Sequence, residues 1–320
     1  MKKRIMGGWQ MTKQSFTLFA DNEVTSKSAA LAFYTFFSLA PILLIVISVG
    51  DVFYRREAIE GRLIGQIQGF VGPDAAHQIQ EIIRNAAKSG HTMFASIISI
   101  VALVFSATGV FTEIQTSINS IWQLKPKPKK GWLKYLVNRI ISLSMVMGLG
   151  FILMVSLVIN TLMDVMMNRL LTILPHGSVL IAYILNLVVT LLITSFLFGV
   201  IFKFLPDAKI QWRDVRVGAF TTAVLFMLGK FAIGYYLGKS NPGGVYGTAG
   251  SIVIILLWVY YSSIILYFGA TFTKVHAQFT GRQIFPNQYA VFVEQIEVQN
   301  KDSLQEQQVE VKVVKKDDAI

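Results

Sequence analysis

The sequence predicts an all-α, polytopic membrane protein: a bundle of six transmembrane helices, with amphipathic helices between spans 1 and 2. Two observations carry that expectation. The 320 residues are 53% hydrophobic and only 15% charged, with a mean hydropathy of +0.55, where an ordinary soluble domain carries about 25% charged residues. The apolar residues also fall into uninterrupted runs that reach the roughly 20 residues a spanning helix needs, with Lys and Arg gathered between them. The length alone would suggest two soluble domains, but runs of this kind make one helical membrane domain, 28–276, the better count.

Residues 1–27 form an N-terminal arm with Lys2, Lys3, Arg4, Lys13 and Lys27. The first apolar run, 28–50, has full span length and no small-residue cleavage site after it, so it reads as a retained helix rather than a signal peptide. The segment 51–92 shows helical apolar spacing in IEGRLIGQIQGF and DAAHQIQEIIRNAAK around a break at Gly72 and Pro73. It is expected to lie as two amphipathic helices on the extracytoplasmic surface. Its basic residues Arg55, Arg56, Arg62, Arg84 and Lys88 run against that placement.

Span 2, 93–112, continues as an amphipathic helix through Glu113 and Ser120 to Trp122, and Pro126 and Pro128 stop it. Spans 3 to 6 are expected at 139–163, 179–204, 217–237 and 249–272. The connection KSNPGGVYGTAG is dense in Gly and reads as a tight or re-entrant turn. The polar, mixed-charge tail 277–320 cannot bury a core and is expected to be cytoplasmic and disordered. Lys125, Lys127, Lys129, Lys130 and Lys134 follow span 2, and Lys203, Lys209, Arg213 and Arg216 follow span 4, whereas the connections after spans 3 and 5 offer Arg169 and Lys239. That alternation is expected to place both termini on the cytoplasmic side of the membrane.

Angular position advances by about 100° per helical residue, so polar residues can be assigned to faces. Span 2 aligns Ser99, Ser106, Gly109, Glu113, Ser117 and Ser120; span 3 aligns Asn138, Ser142, Ser156, Asn160 and Asp164. Span 4 aligns Tyr183, Asn186, Thr190 and Thr194; span 1 aligns Lys27, Tyr34, Ser38, Pro41 and Ser48; span 6 aligns Ser251, Ser262, Gly269, Thr273 and His276. Such stripes either hold helices together by hydrogen bonds and close approach or face a shared polar cavity. Charged groups at membrane depth, which cost about 2.5–3.5 kcal/mol to insert, favour the cavity more than hydroxyls do. Glu113 and Lys230 are the two such candidates. The residues expected to line a pathway are Tyr34, Ser38, Pro41, Ser106, Glu113, Asn119, Asn160, Asn186, Lys230, Tyr246 and Ser262. Gly234 and Gly238 add a small-xxx-small spacing in span 5.

The chemistry-bearing motifs are few. The chain has no Cys and no GxxxxGK[ST] phosphate loop; His77, His91, His176 and His276 stand apart, without HEXXH spacing, and no GXSXG turn occurs. No catalytic residue, metal or cofactor is therefore expected, and the protein is not expected to be an enzyme. The charge of +11 and the run KPKPKKGWLK, with Trp132 and Tyr135 nearby, raise RNA as a partner. Anionic lipid headgroups at the basic inner loops already account for that charge, so membrane lipids are the expected partners, with envelope proteins besides, and nucleic acid is not.

Three segments carry a resemblance: SKSAALAFYTFFSLAPILL, VFTEIQTSINSIW and YGTAGSIVIILLWVYYSSIILYFGATFTKVHA. With these the chain resembles the YihY/BrkB family of bacterial inner-membrane proteins over roughly 21–277. The matching positions are Ala30, Ala32, Tyr34, Ser38, Pro41, Glu113, Asn119, Trp122, Tyr246, Gly247, Trp258, Tyr260, Gly269 and Ala270. The resemblance implies a six-span architecture and links to envelope lipids and serum resistance. The historical label ribonuclease BN finds no catalytic constellation here. Similar proteins carry Glu in a GAE motif where this chain has Thr271, so a role resting on that carboxylate is not transferable. The expected function is a transporter or lipid-handling protein of the cell envelope. The alternative is a non-transporting scaffold for envelope assembly, recruiting partners through 51–92 or the tail.

Overall fold

A computed structural model describes residues 2–51, 60–61, 63–65, 67–68, 73–88, 109–127, 178–239, 250–287 and 290–293. Its helices are α1 (Lys2–Asp21), α2 (Val24–Asp51), α3 (Pro73–Lys88), α4 (described over 109–121), α5 (Ser178–Phe204), α6 (Trp212–Lys239) and α7 (Gly250–Phe279). The expected spans 28–50, 179–204, 217–237 and 249–272 fall on α2, α5, α6 and α7. Span 3, the first part of span 2 and the connection 240–249 lie outside the described residues. Among the described residues three helical stretches are long and apolar enough to cross a membrane: Asn186–Phe204, Trp212–Ile233 and Ile252–Phe279.

The N-terminal arm is itself helical. Asn22 N–H closes onto Leu18 O and Glu23 N–H onto Ala20 O, Glu23 takes a left-handed φ of 50°, and the chain reverses into α2. Helix α7 is the hub, packed against α1, α2, α3 and α6, while α5 packs on α6. The α6–α7 contact is antiparallel and very close. A Cβ on Gly218 would strike Thr273, one on Gly269 would strike Thr222, and one on Gly229 would overlap the ring of Tyr261. In a bilayer, where lipid tails are as apolar as leucine, close approach of this kind rather than water exclusion holds helices together.

Amphipathic spacing governs α3 as expected. Ala76, Ile79 and Ile83 are buried and meet Ile47, Leu63, Ile64 and Ile255. The helical residues 60–61, 63–65 and 67–68 correspond to the first expected amphipathic segment. Arg84 reaches Glu60 at 3.5 Å, but with Arg84 largely exposed this pair contributes little.

The region after Ala277 departs from the expected disordered tail. Helix α7 ends at Phe279 in a Schellman cap: Gly281 adopts φ 69°, its N–H bonds Gln278 O, and Arg282 N–H bonds Ala277 O. Four short strands follow the helix ends, β1 (Leu124–Pro126), β2 (Ala208–Lys209), β3 (Phe285–Pro286) and β4 (Ala290–Phe292). β1 pairs antiparallel with β4, and β2 with β3. Pairings of two or three residues leave no alternating pattern in the sequence, so an all-α expectation passes over them. Residues 294–320 of the expected tail lie outside the described residues.

Candidate functional site

The polar groups converge where α4, α5 and α7 end and α6 begins. Helix α4 stops at Ile121 because the chain turns through Trp122 and Gln123, the latter left-handed at φ 59°, into β1. Trp122, 1% exposed, donates its indole N–H to the backbone O of the buried Ala270 at 2.9 Å. Lys274, one turn further along α7 and 7% exposed, donates to Ile121 O at 2.9 Å. A cation thus sits on a C-terminal carbonyl of α4, where the helix dipole favours it. Around these bonds lies an apolar core that includes Ile118, Phe202, Leu205 and Tyr267.

Two buried carboxylates complete this end. Asp207, in the bend after α5, bonds Asn119 reciprocally: Asn119 Nδ2 donates to Oδ2 at 3.0 Å and Asp207 N–H donates to Asn119 Oδ1 at 2.8 Å. Asn287 adds its backbone N–H to Asp207 O at 3.0 Å and its amide to Oδ1 at 3.4 Å. Asp214, in the first turn of α6 and 2% exposed on its side chain, receives Arg282 Nε at 3.0 Å and Nη2 at 2.8 Å, with His276 Nδ1 at 3.1 Å. These contacts tie the start of α6 to the end of α7 and the loop beyond. On the outside, Lys203 bonds Ile210 O at 2.5 Å and lies over the Trp212 ring.

The residues expected to line a pathway separate. Asn119 joins Asp207 as above. Glu113 accepts from Ser117 at 3.1 Å, with the buried Tyr267 hydroxyl close by. Ser38 is buried on α2, and Pro41 lies within the same helix. Ser262 is turned back onto Trp258 O at 2.8 Å. Tyr34 is 46% exposed, and Asn186 is exposed on α5, where it accepts from Thr190. Lys230 is partly buried in the distal half of α6, and among the described residues no ion pair joins it to Glu113. Ser106, Asn160 and Tyr246 lie outside the described residues. Thr271, at the position of the Glu in similar proteins, is fully buried and bonds Tyr267 O at 2.9 Å.

Two cavities stand out. One, of about 410 Å³, is an apolar groove between α1, α6 and α7, walled by Phe16, Phe19, Leu225, Ile264, Phe268 and Phe272 together with Thr12, Thr221 and Tyr261. Its three hydroxyls are all spent on backbone carbonyls: Thr12 on Gly8 at 3.0 Å, Thr221 on Val217 at 2.9 Å and Tyr261 on Leu225 at 3.5 Å. The groove therefore offers hydrocarbon contact and no spare donor. The other cavity, of about 270 Å³, is polar and lies at the convergent end, against Trp122 and Lys274. Among the described residues no three His, Asp or Glu side chains gather as metal ligands would. Asp207, Asp214, Lys274, Arg282 and Asn287 were not anticipated from the sequence, although the Gly281–Arg282 pair carries a legible helix-stop signal.

A family model described as virulence factor BrkB matches residues 15–289. Among curated proteins, a UPF0761 membrane protein of Ralstonia nicotianae is 24% identical over 84% of this chain and 60% of its own length. One of Haemophilus influenzae is 26% identical over 79% of this chain and 89% of its own, and one of Mannheimia succiniciproducens 26% identical over 80% and 86%. The chain thus spans about 60% of the Ralstonia relative and most of the other two. No solved structure matches.

Proposed function

The chain belongs to the virulence factor BrkB family of bacterial membrane proteins, and on that premise we propose that it handles lipid of the cell envelope, holding a phospholipid acyl chain in the groove between α1, α6 and α7. In the proposed arrangement six helices span the inner membrane, both termini face the cytoplasm, and the convergent polar end lies at the inner headgroup layer. Arg213 and Arg216 at the start of α6 are exposed there, suited to anionic headgroups.

The groove is the observation that carries the proposal. Along α7 its lining runs from Tyr261 to Phe272, roughly 16 Å at about 1.5 Å per residue, close to half of the roughly 30 Å hydrocarbon core. That is the depth of one leaflet. A polar solute would need donors and acceptors along the wall, and each hydroxyl there is already bonded to backbone.

The test is lipid retention after purification in a non-ionic detergent. Wild-type protein is expected to carry stoichiometric phospholipid, and Leu225→Trp combined with Ile264→Trp, which fills the groove, is expected to lose most of it while keeping its helical content. Equal retention by wild-type and filled protein would refute the proposal and favour a scaffold whose polar groups only join helices.

A further inference from the structure

The polar cavity beside Lys274 is a second site, and its chemistry differs from that of the groove. Lys274 and Phe272 are two residues apart on α7, which places them roughly 200° apart around the helix axis, so the two cavities open on different sides. The cavity is walled by Trp122, Gln123, Lys274, Gln278, Gln283 and Phe292, and by Arg282. We infer that it binds a singly charged phosphodiester, its oxyanion on Lys274 and its neutral flanks against the glutamine amides.

Charge matching leads to that class. The Arg282 guanidinium is held against Asp214 by its Nε and Nη2, so those two charges offset each other. Among the described residues no Asp or Glu lines the cavity. Lys274 is left as the uncompensated charge on its wall, and its ammonium bonds a single neutral acceptor, Ile121 O, among the described residues. An ammonium has three donors, and a buried one is stabilised far better by an anion than by one carbonyl. A phosphate monoester, at about −1.5 to −2, exceeds that single charge; a phosphodiester matches it and presents two unsubstituted oxygens. Three primary amides, from Gln123, Gln278 and Gln283, supply further donors, and all three side chains belong to exposed residues that reorient readily. Lys274 also sits little more than one turn before α7 ends at Phe279. This is where a membrane phosphodiester would lie if the convergent end faces the headgroup layer.

The experiment is calorimetric titration of the full-length protein in non-ionic detergent with four probes: glycerophosphoglycerol, dihexanoyl phosphatidylglycerol, glycerate and glycerol. Saturable binding of glycerophosphoglycerol, or of the short-chain lipid alone when Gln278→Trp weakens it and the groove-filling Leu225→Trp/Ile264→Trp pair does not, supports the site; the first result assigns it to a soluble diester and the second to a lipid headgroup, while lipid binding lost only in the groove-filled protein would overturn it. Gln278→Trp, a cavity-filling change at an exposed position, and Lys274→Met are each expected to weaken binding roughly tenfold or more. Should Lys274→Met fail to fold, Gln278→Trp and Gln283→Trp decide alone. No binding of either diester, equal binding of glycerate, or undiminished binding by the filled variants would overturn the inference. Because glycerophosphoglycerol carries no acyl chain and the lipid is read against the groove-filled protein, failure here leaves the acyl-chain proposal standing, and the reverse.

Discussion

Replacing Asp214 by Ala should be among the most destabilising single changes at the convergent end. The carboxylate is 2% exposed on its side chain and receives Arg282 at 2.8, 3.0 and 3.2 Å, together with His276 at 3.1 Å. Hydrogen bonds to charged groups contribute about 1.5–3 kcal/mol each, and breaking a buried pair costs about 3–5 kcal/mol. Arg282 is 28% exposed and can recover part of its hydration, so Asp214→Ala should fall near the low end, about 3 kcal/mol. Arg282→Ala leaves Asp214 buried without its cation and should cost at least as much. The double variant should cost less than the sum, with a coupling of about 1.5–3 kcal/mol. Equilibrium unfolding in mixed micelles of increasing SDS fraction, followed by far-ultraviolet circular dichroism, measures all three. Asp214→Ala within about 0.5 kcal/mol of wild type, or strict additivity of the pair, would refute the assignment of this ion pair as the tie between α6 and α7.

Three further outcomes follow from the packing. Gly269→Val should destabilise by about 1–3 kcal/mol through collision with Thr222, and Thr222→Gly should recover part of that loss in the same unfolding assay. Asn119→Leu removes both bonds to Asp207 and leaves its carboxylate, among the described residues, the 3.4 Å contact from Asn287, a cost of about 2–4 kcal/mol; an Asn119→Leu protein as stable as wild type would contradict it. Ile79→Asp puts a charge at a 1% exposed position of α3, and hydrogen exchange should show Pro73–Lys88 unprotected while α6 and α7 keep their protection.

Helices α2, α5, α6 and α7 were legible because hydrocarbon accepts a backbone only when its peptide groups are bonded within the segment, which demands long apolar runs; the polar helix α1 was read only as an arm. The end of α4 before Pro126 and the buried Ala76, Ile79 and Ile83 of α3 follow from equally local chemistry. The polar end was not legible. Asn119 meets Asp207, and Asp214 meets Arg282, across long stretches of chain, and each carboxylate in a connection reads in isolation as a solvated residue. Periodicity states which residues share a face, not what that face meets. Asn186 and Thr190 do lie together, but Asn186 is exposed on α5. The same limit applies to glycine spacing: Gly234 and Gly238 attract attention by proximity in sequence, whereas Gly218, Gly229 and Gly269 matter because of Thr273, Tyr261 and Thr222 opposite them.

The acyl-chain proposal is tested most directly by photolabelling in native membranes with a phospholipid carrying a diazirine in its chain, followed by mapping of the adducts by mass spectrometry. The groove predicts adducts concentrated on Leu225, Ile264 and Phe268, well above those on the lipid-exposed Leu192 and Phe196 of α5. Labelling spread evenly over both faces, or heavier on α5, would contradict it.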